Sequence, residues 1–461
     1  MKKFIYILIS SVFTSCSLDL PVEDEITGLD AIDGIAIANE SLSGVYLAYP
    51  KNKLMLSVLS DDFYPNKYIA ENPSGYNFYR WLPQDIIFTS NSYWASYYST
   101  INKANILLNT VDNITTQGQQ ETDRLQFIKA QTLGLKALAY FELLQLYAPT
   151  YSETTKNDAG IILKNNLASE ELPRADLETC YSEIERILLE AIRLFPANSN
   201  NITSNLYRFS ANSAKTLLAK TYLNWNKYNQ AIALCDEVIS AVSFSENNYR
   251  TMWTSPVLNQ EPLFAFENNQ INYNGIYDSS SSNFEFFCNS TINYDGADYR
   301  KEVNFLPSEY FTITNIRTEV NYLGKYQTNL TTLTVRPIIA LRGAELYFTK
   351  AEAKYEAGNE ADARSTLNTF LTLRNAQEIT TTGTEFLIDM LEEKQKEFIG
   401  EGTRYFDLKH YKIGVDRVDF RTNELINTIS SDDYRWLFPI PATEIRNNSN
   451  VTQNPNWGTI I

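Results

Sequence analysis

Apolar residues recur with the 3.6-residue period of an amphipathic helix over much of the chain. Residues that commonly stop a helix, Pro149 and Pro196, follow two of these stretches, and Gly358 and Gly402 follow two more. Asp176 stands where an N-cap is expected. The pattern therefore predicts a mainly α-helical fold. The predicted helices are 92–111, 124–147, 175–195, 210–224, 228–242, 341–357, 361–375 and 385–399.

Two pairs of these helices carry an internal repeat. In each pair twelve positions separate two alanines, Ala219 from Ala231 and Ala351 from Ala363, with a tyrosine close to each pair. Small residues at this spacing are typical of tetratricopeptide-type helix pairs, where two antiparallel helices approach closely. Two units are fewer than the three or so that a free-standing solenoid needs. The repeats are therefore expected to pack against the rest of the chain.

Two long stretches, 64–89 and 244–336, lack helical periodicity and are rich in Asn, Ser, Tyr and Thr. Irregular segments of this length inside a compact protein are usually either binding surfaces or misread helices and strands. Short strands at 262–266 and 333–336 are expected to border the second stretch. The sequence thus predicts a helical scaffold that carries irregular loops.

The N-terminus resembles a lipoprotein signal. A lysine pair follows Met1, the apolar run 4–13 comes next, and Thr14-Ser15 precedes Cys16. The apolar run is too short to span a bilayer, which takes about twenty residues, and no other segment is apolar enough. We expect 1–15 to be a cleaved signal peptide, Cys16 to carry lipid, and 16–26 to be an acidic tether. An ordinary cysteine in a leader is the alternative.

Charge and composition narrow the function. The chain has 39 Lys and Arg residues and 55 Asp and Glu residues, which gives a net charge of -16. This balance opposes nucleic-acid binding, which depends on clustered cations. Aromatic residues make up 13% of the chain, and Tyr is the commonest with 30 copies. Tyr combines a flat apolar face with a hydroxyl, which suits surfaces that bind polar ligands, although many of these rings are expected to serve as packing.

Recognisable motifs lie in six segments: 94–105, 136–147, 341–353, 397–408, 439–445 and 453–455. Together, in this order and spacing, they resemble one known family, the SusD/RagB outer-membrane nutrient-binding lipoproteins, over nearly the whole mature chain. One departure is Asn456, where the family often has Gly; Asn tolerates the positive φ of such a turn.

The resemblance implies a SusD-like fold in a single domain, 27–461, with an N-terminal part of about 27–243 and a loop-rich and C-terminal part of about 244–461. It also implies a lipid-anchored protein on the extracellular side of the cell outer membrane. Such a protein binds oligosaccharide or another glycan and delivers it to a SusC-like TonB-dependent transporter. A peptide-binding relative and a scaffold that binds no nutrient remain open.

The residues offer little for catalysis, so we predict that the chain is not an enzyme and needs no cofactor or metal. The single histidine, His410, has no Ser or Cys nucleophile nearby, and the adjacent Asp61 and Asp62 are expected by chance in so acidic a chain. Asp295 and Asp298 lack the ligand spacing of a calcium loop. Charged residues in the family-like helices are expected to form buried pairs that fix helix register. They are Arg342, Glu345, Glu352, Glu397, Glu401, Arg404 and Asp407.

The remaining cysteines show no metal or redox spacing. Cys180 and Cys235 fall on apolar helix faces and are expected to be inert buried thiols, whereas the partner of Cys288, if any, is left open. Trp94 is expected in the core. Candidate ligand contacts are inferred from composition and from their place in the irregular stretches: Tyr64, Tyr68, Tyr76, Asn77, Phe78, Tyr79, Trp81, Tyr273, Tyr277 and Tyr294.

Overall fold

The computed structural model describes residues 32–458 except 52, 169, 197–205, 256–260, 269–276, 279–282 and 327–335. Cys16, the predicted signal peptide and the tether lie outside the described residues. The described part is mainly helical, as predicted. Its helices are α1 (Ile35–Ala48), α2 (Leu54–Leu59), α3 (Pro73–Tyr79), α4 (Pro83–Val111), α5 (Gln119–Tyr147), α6 (Leu177–Leu194), α7 (Ala211–Asn224), α8 (Tyr228–Ile239), α9 (Glu246–Thr254), α10 (Arg300–Asn304), α11 (Gly343–Glu356), α12 (Glu360–Leu373), α13 (Thr384–Phe398), α14 (Arg404–His410) and α15 (Ala442–Asn447).

All eight predicted helices are present. The helices α4 and α5 begin nine and five residues earlier than predicted, and the other ends agree within three residues. The early start of α4 follows from Pro83, which occupies the first helical turn, where a missing N–H costs nothing. The expected cap of α6 is confirmed, since Asp176 Oδ1 accepts a hydrogen bond from Thr179 N at 2.6 Å.

The repeat is confirmed as two adjacent helix pairs. The helices α7 and α8 form one pair, α11 and α12 form the other, and α11 also packs against α7 and α8. All four repeat alanines, Ala219, Ala231, Ala351 and Ala363, are fully buried. Small side chains at these positions let the helix backbones approach, so the four helices form one continuous layer.

The strands in the described residues are short, and all of them form two-stranded antiparallel pairs. The pairs are β1 with β5, β2 with β8, β3 with β4, β6 with β7 and β9 with β10. The strands are β1 (Phe63–Pro65), β2 (Pro262–Phe266), β3 (Tyr277–Asp278), β4 (Asn283–Phe284), β5 (Phe286–Cys288), β6 (Phe305–Phe311), β7 (Arg317–Leu323), β8 (Ile338–Arg342), β9 (Val415–Val418) and β10 (Leu425–Ile429).

The two stretches predicted to be irregular are more ordered than expected. The first contains α3 and the start of α4, and the second contains α9 and the β6–β7 hairpin. The strand predicted at 262–266 is confirmed as β2. The strand predicted at 333–336 lies mostly outside the described residues, and the described strand nearest to it is β8.

A buried charge network joins the C-terminal helices to the strands. Glu397 accepts hydrogen bonds from Arg342 Nη1 at 2.5 Å, Arg374 Nη2 at 2.8 Å and Arg300 Nη1 at 3.4 Å. Glu261 bonds Arg374 and Arg342, and all five side chains are fully buried. Burial favours a neutral carboxyl, but the guanidiniums outweigh it and hold the pKa of Glu397 well below its usual range. We call these five residues the Glu397 network.

The predicted scaffold role of the charged helix residues is confirmed. Glu401 pairs with Arg342 and Lys325, and Glu345 accepts from Arg342 N at 2.9 Å. Arg404 Nε donates to Asp61 Oδ1 at 2.8 Å. A second group of partners surrounds Lys394, whose Nζ contacts Glu352 and Asp407. These pairs link α11, α13 and α14 to one another and to the loop before β1.

The predictions for the cysteines and turn residues also hold. Cys180 and Cys235 are buried free thiols, and burial raises the pKa of each. Cys288, which the sequence left open, is likewise a buried free thiol in β5. Asn456 adopts the expected positive φ, at 64°. Asp298 does not serve as a free loop carboxylate, because it pairs with Arg300 at 2.7 Å.

Candidate ligand-binding surface

Five of the candidate aromatic residues belong to the core and not to a loop surface, and four of them lie in the segment 76–81. The segment is helical because Asn72 caps α3 by accepting from Gly75 N and Pro73 follows it. Tyr76, Phe78 and Tyr79 are all buried, and Trp81 is 0% exposed. The Trp81 indole N–H donates to Leu59 O at 3.0 Å, and its ring lies 4.6 Å from that of Trp436.

The expectation that Trp81 lies on an irregular loop surface is therefore wrong. Its φ of 60° turns the chain after α3 and directs the ring inward. Tyr79 likewise packs under Arg417, and its hydroxyl accepts from Val418 N at 3.1 Å. Tyr294, 8% exposed, donates to Lys396 O and accepts from Asn304 Nδ2. In this conformation these rings offer a ligand no open face.

Other candidates reach the surface. Tyr64 in β1 is half-buried and sits opposite Phe287 of β5, and burial raises its pKa. Asn77 is half-buried and accepts from Arg80 Nη2 at 2.5 Å. The hydroxyl of the buried Tyr76, by contrast, is already bonded within the protein, since it donates to Asp419 Oδ2 at 3.3 Å.

Tyr68 is a half-buried candidate that has both aromatic rings and a lysine as neighbours. Its ring is half-buried and lies 6.3 Å from that of Tyr310, which is 7% exposed and contacts Phe287 at 4.7 Å. Lys67 lies over both tyrosine rings, at 5.3 and 5.2 Å from their centroids. Its backbone N–H donates to Tyr310 Oη at 2.8 Å and its ammonium donates to Phe311 O at 2.6 Å. We call Tyr68, Phe287, Tyr310 and Lys67 the Tyr68 patch.

Sequence reasoning missed three of the four members of this patch. The pairing of β1 with β5 places Phe287 beside the segment that contains Tyr68, and the β6–β7 hairpin places Tyr310 there. The stretch 305–311 reads Phe-Leu-Pro-Ser-Glu-Tyr-Phe, which has no strict alternation of apolar and polar residues, so the sequence carried no clear signal for that strand. Apolar side chains also remain exposed at two hairpins beyond the patch: Phe311, Ile313, Ile316, Leu425 and Ile426.

Two candidates remain predictions without a structural test. Tyr273 lies outside the described residues. Tyr277 forms part of β3, where its backbone pairs with Phe284, and its side chain is outside the description. Both residues come from the stretch between β2 and β5, and β5 carries Phe287 of the Tyr68 patch.

The carboxylates and histidine weighed for catalysis occupy structural positions. Asp61 pairs with Arg404, whereas Asp62 is fully buried and accepts from Gln395 Nε2 at 3.2 Å. Burial and the neighbouring Asp61 raise the pKa of Asp62 to about 7. Burial lowers the pKa of His410. Among residues 32–458, apart from the gaps, no group of three or more His, Cys, Asp or Glu side chains is arranged to hold a metal.

Two family models match the chain. One, described as "Starch-binding associating with outer membrane", matches residues 20–223, and one described as "SusD family" matches residues 191–457. The second match alone covers more than half of the 461 residues. The chain belongs to the SusD/RagB family. Starch-binding protein SusD of Bacteroides thetaiotaomicron is 32% identical over 124 residues, which is 25% of this chain and 21% of that protein. The chain thus matches about a fifth of the length of that relative.

Solved structures share the SusD-like fold over nearly the whole chain. A putative sugar binding protein from Bacteroides vulgatus has a TM-score of 0.74 at 22% identity and covers 93% of this chain and 99% of its own. A SusD superfamily protein from the same organism gives 0.75 at 20% identity, covering 92% and 99%. A laminarin binding SusD-like protein gives 0.62 at 21% identity, covering 92% and 100%.

The family description associates these proteins with the outer membrane. Within the described part of this SusD-family chain, no helix has both the length and the apolar character needed to cross a bilayer. Of the two 29-residue helices, α4 is rich in Ser, Thr and Asn, and α5 carries charged residues along its length.

Proposed function

We propose that this chain is a carbohydrate-binding lipoprotein of the outer membrane, held outside the cell by lipid on Cys16. The observation that carries the proposal is the Tyr68 patch, a partly exposed tyrosine ring backed by two further rings and bordered by a lysine. Tyr rings present apolar faces that match the C–H faces of sugars, while hydroxyl and ammonium groups bond sugar hydroxyls.

Relatives support a glycan over other ligands. Family members carry names that state starch binding and laminarin binding. In this chain the patch combines the half-buried Tyr68 with Lys67, whose ammonium lies over both tyrosine rings and donates to Phe311 O. A neutral or weakly anionic oligosaccharide fits such a surface. Peptide binding and a scaffold without a ligand are the outcomes against which the proposal is tested.

Replacing Tyr68 by alanine is expected to weaken glycan binding by about tenfold or more, because truncating a central aromatic contact typically costs about 2 kcal/mol. The detergent-solubilised full chain is first exposed to a panel of oligosaccharides and peptides, and calorimetry then gives the affinity for the best ligand. Tyr228→Ala, which removes a half-buried tyrosine from α8 in the helical scaffold, is the matched control and should leave affinity unchanged. Binding to peptides alone, or to nothing, contradicts the proposal.

Cys16 supplies the proposed anchor. One acyl chain holds a protein only reversibly, whereas two or more give stable attachment. We expect Cys16→Ala to abolish incorporation of radiolabelled palmitate and to release the protein from the membrane fraction. Protease added to intact cells should degrade the wild-type protein. Palmitate incorporation that persists in Cys16→Ala, or full protection from protease, contradicts this part of the proposal.

Delivery to a TonB-dependent transporter completes the proposal. Bound glycan would favour a closed complex with the transporter only if the ligand contacts are better in that state. Energy for uptake would come from the transporter's partners in the inner membrane.

A further inference from the structure

Strand β10 is the outer strand of the β9–β10 hairpin. The inner strand, β9, is fixed to the body of the protein, because Arg417 is fully buried and its Nη1 donates to Ser60 O at 2.9 Å. In the described part of the chain β10 pairs with β9 alone. Four of its five residues are exposed, and they include two large apolar side chains, Leu425 (60% exposed) and Ile426 (43%). The hairpin therefore presents β10 to the solvent.

The backbone of β10 has an open edge. A strand at the edge of a sheet presents a row of N–H and C=O groups that point away from its partner strand. In 425–429, the groups that point away from β9 form no hydrogen bond with another described residue. The pairing with β9 is irregular between Leu425 and Asn427 and regular from Asn427 to Ile429. The outward groups are thus available to another strand.

Strand β10 lacks the residues that usually protect an edge. Natural edge strands are commonly blocked by proline or by charged side chains, because both oppose pairing with another chain. The β6–β7 hairpin has both, since β6 contains Pro307 and its Glu309 pairs with Arg317 of β7. The sequence of β10, Leu-Ile-Asn-Thr-Ile, contains neither. Its isoleucine and threonine residues favour the extended conformation, so the edge stays suited to pairing.

The exposed charges around β10 are mainly negative. The charged residues of the hairpin and its flanks are Lys412, Asp416, Arg417, Asp419, Arg421, Glu424, Asp432, Asp433 and Arg435. Arg417 is buried, and two ion pairs, Arg421 with Asp419 and Arg435 with Asp433, account for four more. Three carboxylates and one lysine remain, all exposed. A second copy of the chain would bring the same surplus against itself, whereas a basic segment would be attracted.

We propose that β10 binds an extended, basic segment of a partner protein, which adds to the β9–β10 hairpin as a third strand. The main chain of the segment would bond the outward groups of 425–429, and an apolar side chain of the segment would pack beside Ile426. Lysine or arginine at the ends of the segment would lie near Asp416 and Glu424. The proposal does not depend on glycan binding at the Tyr68 patch.

A synthetic peptide, Lys-Thr-Val-Thr-Val-Thr-Lys with both ends blocked, is the probe. We expect it to bind the full chain in detergent saturably and to slow hydrogen exchange in 425–429, because outward N–H groups become hydrogen-bonded. The same peptide methylated on each inner backbone nitrogen cannot donate to the edge and should bind about tenfold more weakly or worse. A peptide with glutamate at both ends should also bind more weakly. Equal binding of either control peptide overturns the proposal.

A lysine placed on the edge tests the position of the site. Thr428→Lys should weaken binding of the basic peptide by about tenfold or more, because it adds a protective charge to the edge and offsets the neighbouring Asp416. Thr318→Lys makes the same substitution on the exposed strand β7 and should bind normally. Both threonines are exposed, so both variants should fold. Wild-type affinity in Thr428→Lys overturns the proposal.

Sedimentation of the full chain in detergent, without the peptide, tests the other occupant of the edge, a second copy of the chain. We expect wild type and Thr428→Lys to sediment alike, as monomers, because the surplus of carboxylates around β10 opposes pairing of two copies. A wild-type dimer that Thr428→Lys dissociates would assign β10 to self-association and overturn the proposal.

Discussion

Replacing Glu397 by alanine is expected to lower the free energy of unfolding by roughly 3–5 kcal/mol. The change leaves Arg300, Arg342 and Arg374 without the carboxylate that all three share, and each of these guanidiniums is fully buried. Arg300 keeps Asp298 and Glu393, and Arg342 keeps Glu401. Glu261 pairs with Arg342 and Arg374 but does not replace the carboxylate that all three guanidiniums share. Urea unfolding followed by tryptophan fluorescence measures the loss.

Glu392→Ala is the matched control for that experiment, because Glu392 lies on the same helix, α13, and is exposed. Surface substitutions of this kind usually change stability by less than about 0.5 kcal/mol. Equal effects of the two substitutions contradict a structural role for the Glu397 network. The depressed pKa of Glu397 adds a pH test: its stabilisation is present above the usual carboxyl pKa of 4.5 and declines as the pH falls below it.

Trp81→Ala is expected to destabilise the protein by roughly 3–5 kcal/mol, the range for large aromatic residues removed from a core. The indole is fully enclosed, packs on Trp436 and Tyr405, and donates to Leu59 O. The substitution leaves a large cavity and also removes a buried hydrogen bond. The packed surroundings cannot easily collapse into that cavity. Thermal unfolding and urea titration give the effect.

The same variant also decides between a core role and a ligand role for Trp81. The fraction of Trp81→Ala that remains folded should bind glycan with near wild-type affinity. Phe88→Ala, at an aromatic residue that is 78% exposed, is the control and should leave stability nearly unchanged. Normal stability of Trp81→Ala together with lost binding would restore Trp81 as a ligand contact.

Periodicity predicted the long helices well because an amphipathic face of four or more turns repeats often enough to be read from the sequence. The seven-residue helix α3 was missed because its apolar residues, Tyr76, Phe78 and Tyr79, cluster at its end and follow a proline. The same cluster misled the prediction of the site. Aromatic residues in a polar stretch indicate a ligand surface only if their rings stay exposed, and tertiary packing decides that exposure.

The Glu397 network also depends on tertiary packing that the sequence pattern does not reveal. Sequence reasoning identified Arg342, Glu397 and Glu401 as scaffold residues on the family-like helices, and the structure confirms them. It did not identify Glu261 or Arg374, which pair with each other across 113 residues of sequence. No local pattern links residues so far apart, because their contact depends on how strands and helices assemble.

Hydrogen exchange with the best-binding glycan tests the central claim, that the Tyr68 patch binds carbohydrate, most directly. We expect slower exchange in peptides that cover Lys67–Glu71 and Phe305–Phe311, and no change in α7 or α8. Protection confined to the helical layer, or no protection with any glycan that binds, would contradict it.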